Sequence, residues 1–594
     1  MAHLKNNPIF FVFAKLWQYS TGNKKNVVSF VLLSMCGQVI WLLEPVIVAQ
    51  VLNKIQLKGV NAETLPTLAL YLASFIAIQI GAWAFHGPSR VKEVNNAYFV
   101  QSNYKKYLLE GTMALPASWH TDHHSGDTID KIEKGTNAIF RFSRETYQII
   151  GTVIKFIFAY GVLVYYNIHA SYILLFMLFL TVLLILKLDK TLIAQLSQLY
   201  KKENSISARV FDVISNITTV IILRIEKLVM KSIWKKMMQP FPLYAKNAKL
   251  NEIKWFLVSV CASLTMFLVM FSYFFINVRA GNVILIGTVY LLYEYISRIV
   301  GIFYTFAYMY GDIVEQKTAI LNAEEIAKEF KQKEIISEVN LLPHWHTLEV
   351  KNLRFSYETK EKSVHLNHIN FSLHRGEKIA FVGESGSGKT TALKIIRGLY
   401  TPQQVECMLD GIKLPDNFHS IGSKIALIPQ DPEIFATTIK ENITVGVNHS
   451  LEYIKKFTDL ARFTEVAERL PKKFDSSIVE KGVNLSGGEK QRLALSRGLL
   501  ASVDKEVILL DEPTSSVDSR NERLIYENIF SAFKSKVIIS SIHRLHLLPM
   551  FDTIYFFQGG KILEKGSFDE LLKKSSEFQM LWTKYTKSQK NISK

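Results

Sequence analysis

Cysteine is almost missing from this chain: three residues in 594, at Cys36, Cys261 and Cys407. Two of them fall in apolar stretches and one in a polar region, so no disulfide framework organises the fold. No internal repeat and no low-complexity tract is present. Acidic side chains are in deficit, with 52 Asp and Glu against 70 Lys and Arg, a net charge of +18. Such a balance can serve nucleic acid, but a plainer use comes first. Membrane proteins concentrate Lys and Arg in cytoplasmic loops, where they fix topology and meet anionic lipid. Nucleic acid is therefore not expected as a partner. A signal-peptide cleavage site is also missing. The apolar run Pro8 to Phe13 is short, with no small-residue site behind it, and reads as an amphipathic elbow on a membrane surface.

Apolar residues, by contrast, are plentiful, and most lie before about residue 305. A helix needs roughly 20 apolar residues to cross the hydrocarbon core. Six stretches qualify: Val27–Leu52, Leu65–Phe85, Ile149–Tyr166, Tyr172–Leu188, Phe256–Val278 and Val283–Phe303. The links Asn53–Thr64, Asn167–Ser171 and Arg279–Asn282 are short. The segments Pro88–Gln148 and Asp189–Trp255 are long and basic, which places both termini in the cytoplasm. Their polar helical periodicity predicts that spans two to five continue as helices well past the membrane. Lys187 and Lys190 can snorkel from the end of span four. Lys155 lies inside span three and must face an aqueous cavity or pair with an acid.

From Thr347 the pattern changes to strands alternating with helices. Leu348–Tyr357, Ile379–Val382, Val507–Leu510 and Val537–Ser540 read as strands, and Thr390–Gly398 as a helix. The expected architecture is an all-α membrane domain followed by an α/β domain with a largely parallel sheet. The boundaries are residues 1–25 for the elbow, 26–320 for the membrane domain, 321–346 for a linker, 347–582 for the α/β domain and 583–594 for a basic tail.

Gly383-Glu384-Ser385-Gly386-Ser387-Gly388-Lys389-Thr390 fits a phosphate-binding loop, with a strand before it and a helix after it. Its glycines let backbone N–H groups close on phosphates at a helix amino terminus. Lys389 is placed for the β- and γ-phosphates and Thr390 for Mg²⁺. The strand Val507–Asp511 ends on two acids: Asp511 organises Mg²⁺ through water, and Glu512 polarises the attacking water as general base. Leu485-Ser486-Gly487-Gly488-Glu489-Lys490-Gln491-Arg492 offers a second anion-facing helix start, over Glu489–Ser496. One domain cannot bring both its phosphate loop and this helix start to the same phosphate, so ATP is expected to join two domains.

With these motifs in this order, residues 347–575 resemble the nucleotide-binding domain of ATP-binding cassette transporters, and the membrane half resembles that of their exporter-type members. The resemblance implies further roles. Tyr357 stacks on adenine, and Thr391 joins the phosphate loop. Gln430 senses Mg²⁺ and water. Phe435 and Thr438–Ile443 continue the exporter pattern, and Glu480 meets coupling helices. Ser486, Gly487 and Gly488 reach the γ-phosphate of the opposite subunit, Asp518 lies in the loop that crosses the dimer, and His543 contacts the γ-phosphate. The crossing loop departs from the family, reading Ser515-Ser516-Val517-Asp518 where Ala-Leu usually stands between Ser and Asp.

The implied function is ATP-driven export of a hydrophobic or amphipathic substrate, with ATP and Mg²⁺ as cofactors. The expected partner is a second copy or a related half-transporter, in membrane lipid. The expected location is a bacterial inner membrane, with an organelle membrane as the alternative. An importer on the same fold and an ATP-regulated channel or sensor are the alternative activities. Leu115–Asp127 and Ser207–Glu226 resemble coupling helices. His120, His123 and His124 fit no standard metal spacing. Lipid-linked molecules, peptides and drugs all remain open as cargo. Glu44 before Pro45, Lys155, and Glu294 and Arg298 among Tyr290, Tyr293 and Tyr295 mark either a polar cavity or an intrahelical ion pair.

Overall fold

The structure, a computed structural model, describes residues 7–330, 345–357, 365–431, 433–478 and 485–592. Two compact units divide near residue 331.

The first unit opens with the helix Pro8–Tyr19. The Asn7 side chain caps it by accepting from Ile9 N, and Pro8 occupies the first turn, where no N–H is needed. Val12, Leu16 and Tyr19 recur at helical spacing and are buried, while Phe10 and Trp17 on the other face are exposed. That is the two-sidedness expected of the elbow.

Six helical segments here are long and apolar enough to cross a membrane. The first is not continuous. It breaks between the helices Lys24–Trp41 and Glu44–Lys58, just before Pro45. Proline has no N–H for the carbonyl four residues back and crowds it. That carbonyl belongs to Trp41; the next one, of Leu42, also lacks its helical donor, because Val46 N turns to the Leu43 carbonyl at 3.1 Å, and the Tyr295 hydroxyl donates to it at 2.5 Å. The others are Leu65–Met113, Ser125–Tyr166, Ile168–Ser215, Phe241–Arg279 and Ile286–Lys328. Of these, Leu65–Met113 runs 49 residues, on the order of 70 Å at the α-helical rise. The links are tighter than the sequence suggests. Only Asn167 separates the third span from the fourth, because its side chain caps the fourth helix by accepting from Ala170 N. The last helix continues to Lys328, into the segment expected as linker.

Helix Ser125–Tyr166 packs along Ile286–Lys328. Gly135 lies so close to Ala323 that a Cβ there would come within 2.6 Å of its methyl. Arg141 lies 3.8 Å from Asp312, and the Phe158 and Tyr295 rings are 5.9 Å apart. These contacts fix an antiparallel register. Elsewhere Lys254 pairs with Asp189 at 3.0 Å and donates to the Ala307 carbonyl at 3.2 Å, tying three helices through one buried ammonium. Two short helices, Ala117–Asp122 and Ile217–Ile222, stand where coupling helices were expected.

The second unit holds two sheets. Strands β1 (Thr347–Phe355), β2 (Leu366–His374), β4 (Gln404–Leu409) and β5 (Ile412–Lys413) form an antiparallel sheet in the order 2-1-4-5, which the sequence did not announce. Strands β3 (Lys378–Gly383), β6 (Ile425–Ile428), β7 (Val507–Asp511), β8 (Val537–Ile542), β9 (Thr553–Gln558) and β10 (Lys561–Gly566) form the second, in the order 10-9-3-8-7-6. It is parallel except for the β9–β10 hairpin. β7 and β8 are buried along their whole length, as parallel strands covered on both faces must be. The carboxyl ends of β3, β7 and β8 therefore emerge side by side, which is where open α/β sheets place ligands. The last helix, Ser576–Ile592, runs across the boundary expected for the tail.

Candidate nucleotide site

The loop after β3 is shaped by its glycines. Gly386 and Gly388 have φ of +79° and +107°, which favour a residue without Cβ. At Gly383 a Cβ would meet the Phe557 carbonyl oxygen at 2.1 Å. Glu384, Ser385 and Gly386 form the exposed tip. Below it the buried Ser387 hydroxyl has no hydrogen-bond partner among the described residues. The helix Lys389–Ile396 then begins, its first turn facing the loop. Lys389 is buried and folds back, donating to the carbonyls of Gly383 and Glu384 at 2.9 and 3.0 Å. Burial holds its ammonium below the usual lysine range, against the pull of Glu512 and Asp511. An orphaned hydroxyl, a cramped cation and a helix start share one concave loop, and that donor set suits a triphosphate.

Asp511, at the end of β7, accepts from the Thr390 hydroxyl at 2.9 Å and from the Ser541 hydroxyl at 2.7 Å. Thr390, Asp511 and Gln430 make an oxygen-donor set that fits Mg²⁺ arriving with a nucleotide. Glu512 follows in the left-handed region, at φ +45°. For a non-glycine residue that is a strained backbone, of the kind kept where the side chain must be aimed. The carboxylate of Glu512 accepts from the Gln430 amide at 3.1 Å. Lys389, Thr390, Asp511, Glu512 and Gln430, far apart in sequence, are thus gathered at one edge of the sheet.

Tyr357 stands beside this edge, its ring partly exposed. Its hydroxyl lies 3.2 Å from that of Thr391. Phe355, His365 and Tyr400 meet it edge to face, an arrangement that braces the ring.

Ser486 caps the helix Gly487–Ala501 through a reciprocal box. Its hydroxyl accepts from Glu489 N, and the Glu489 carboxylate accepts from Ser486 N. Ser486 and Gly487 are exposed. Among the described residues no hydrogen bond joins Ser486, Gly487 or Gly488 to the phosphate loop. Gly488 has a steric reason as well, since a Cβ there would sit 2.6 Å from the Ser516 carbonyl oxygen. Asp518 caps the helix Ser519–Ala532 by accepting from Asn521 N at 3.0 Å, and that bond holds its carboxyl below the usual range. His543 is exposed directly after β8 and lines a cavity of about 230 Å³ with Glu512, Thr514, Glu522 and Arg544. Glu480 lies outside the described residues.

Several connecting residues escaped the sequence reading. Gln491 donates to the Gln430 carbonyl at 3.3 Å and to the Ser515 hydroxyl at 2.7 Å, and accepts from Ser516 N at 2.8 Å. Arg544 donates to the carbonyls of Val517 and Ser515 and to the buried Glu522. Two signals were available. Ser540 and Ser541 are hydroxyls in an otherwise apolar strand, and buried polar groups need partners. Gln491 sits within the glycine-rich motif itself.

Residues 27–300 match the family model of the ABC transporter transmembrane region, and residues 366–515 match that of the ABC transporter. The chain belongs to the ABC transporter family. Among its relatives is ABC transporter B family member 21 of Arabidopsis thaliana, 38% identical over 228 residues, which are 38% of this chain and 17% of that protein. Another is the ATP-dependent lipid A-core flippase of Vibrio vulnificus, 34% identical over 235 residues, 39% of this chain and 40% of that protein. The chain thus spans well under two thirds of the length of these curated relatives. In fold, this ABC transporter is similar to a bacterial Atm1-family ABC exporter with ATP bound, with a TM-score of 0.80, 22% identity, and coverage of 94% of this chain and 99% of that one.

Proposed function

We propose that this chain is one half of an ATP-driven exporter that works as a pair of identical copies in a membrane, with its termini and nucleotide-binding unit in the cytoplasm. The observation that carries the reading is the bonded series Thr390, Asp511 and Ser541 beside Gln430 and Glu512. It leaves a general base, a cation and a metal-fitting hydroxyl within one site. ATP sits with its adenine on Tyr357 and its phosphates in the loop 383–391, where Lys389 swings from its own loop carbonyls to the β- and γ-phosphates. Thr390 and Gln430, with Asp511 behind them, would hold the Mg²⁺ that accompanies the nucleotide, and the metal would supply charge neutralisation for the phosphates. Glu512 takes the proton of the attacking water. His543 stands by for the γ-phosphate.

Among the described residues Ser486 and the two glycines after it share no hydrogen bond with their own phosphate loop, and we read them as serving the nucleotide of the partner copy, with Asp518 at the seam. Closure binds ATP more tightly than the open state does, and this difference is what moves the membrane helices. The short helices Ala117–Asp122 and Ile217–Ile222 receive that motion. The cargo is a hydrophobic or amphipathic molecule.

The direct test is phosphate release by purified, lipid-reconstituted protein. Glu512→Gln is expected to lower turnover by about 10²–10⁴-fold while still retaining ATP. Turnover within twofold of the natural chain would remove Glu512 from its role. ATP-dependent movement of cargo out of, not into, the compartment that holds the nucleotide-binding unit distinguishes export from import.

A further inference from the structure

The membrane spans hold few charges, and four of them gather around the break in the first span. The antiparallel register of helices Ser125–Tyr166 and Ile286–Lys328 passes through the Phe158 and Tyr295 rings. Lys155 lies one turn before Phe158, and Arg298 one turn after Tyr295. In antiparallel helices those two steps go the same way, so the two cations stand at one level, close enough for their like charges to interact. Arg298 has an acid partner, Glu294 at 3.0 Å, one turn away on its own helix. Lys155 has neither an ion pair nor a hydrogen bond among the described residues.

Lys155 does not face outward at random. Gly151 and Ala159, a turn to either side of it, are buried, and Gly151 sits against the Gln38 side chain of the first span. Lys155 shares their face of the helix yet is exposed. Its ammonium therefore opens into a crevice between these helices. The first span closes that crevice on one side. Leu42 meets Tyr295, and Gly287 N donates to Asn53, so this span too runs antiparallel to the last helix. Glu44, exposed and without an ion pair among the described residues, consequently falls about level with Glu294, a turn away from the level of Lys155 and Arg298. Of the two cations, Arg298 thus has Glu294 as its partner, and Lys155 is left without an acid among the described residues. An unpaired cation inside an apolar bundle is costly and calls for an anion.

We infer that Lys155 and Arg298 form the seat for the anionic headgroup, a phosphate or a carboxylate, of an amphiphilic cargo whose tail lies along the apolar helices. This rests on the transporter reading above. The full-length protein in nanodiscs is titrated with fluorescent amphiphiles of one tail and four headgroups: phosphate monoester, carboxylate, phosphocholine and trimethylammonium. Phosphate or carboxylate is expected to bind about tenfold more tightly than trimethylammonium, and the stronger of the two names the source. Lys155→Gln should lose that preference, Lys155→Arg keep it, and Lys155→Glu reverse it. Equal binding of all four headgroups, tighter binding of the cation, or an unchanged preference in Lys155→Gln with Lys155→Glu would overturn the seat. ATP hydrolysis by the natural chain is measured in the same nanodiscs. Its absence would sink the transporter reading, while the binding titration still judges the seat by itself.

Discussion

Single side chains set the chemistry, and the tightest constraints are steric. Gly488→Ala would press a methyl against the Ser516 carbonyl and push the crossing loop away from the glycine-rich helix. We expect it to lower ATPase activity at least tenfold while ATP still binds to the phosphate loop, which a nucleotide-binding assay beside a turnover assay separates. Lys389→Ala, in contrast, should weaken ATP binding itself. Cys407 makes a different point. Burial, with Glu406 nearby, pushes its thiol up to about 12. Thiolate is the reactive form, so Cys407 should resist maleimide at pH 8 in the folded protein and label only on denaturation, as mass spectrometry of the labelled peptides would show. Labelling at the rate of a free thiol would mean that the core around β4 is open.

At the scale of elements, legibility followed how local the cause was. The phosphate loop was readable because glycine, lysine and threonine at fixed spacing carry their geometry with them. The strand ending in Asp511 and Glu512 was readable for the same reason. What the sequence hid was pairing at a distance. Asp189 and Lys254 looked like ordinary polar residues near the ends of spans, and only the packing of three helices makes them partners. Of the antiparallel sheet, β1 was legible from its alternation, but its pairing with β4, which lies beyond the phosphate loop, was not. The break at Leu42 was half visible through Pro45, but its Tyr295 cap was not. Two predictions belong here. Lys254→Ala leaves a buried carboxylate without its cation and should cost about 3–5 kcal/mol, measured as reduced denaturant or thermal stability in detergent, whereas Lys254→Met with Asp189→Leu should recover much of it. Tyr295→Phe removes the donor to Leu42 and should cost about 1–3 kcal/mol in the same assay. No loss would show that the freed carbonyl finds another partner.

For the whole molecule, the decisive matter is whether one chain can complete its own site. Ser486 and Lys389 share no bond within the chain, so each is proposed to meet the other only across two copies. Lys389→Ala and Ser486→Ala are each expected to be inactive alone. Mixed before reconstitution, they should regain activity, because a mixed pair carries one site in which both residues are intact. Failure of the mixture to exceed either variant would put both residues in the same chain's site. The dimensions of the membrane helices bear on what such a pair can achieve. A rod of 49 residues, roughly 70 Å long, acts as a lever: a tilt of about 5° at one end sweeps the other by roughly 6 Å over that length. In the proposed pair, so small a tilt would shift the far end of the helix by about the width of an acyl chain.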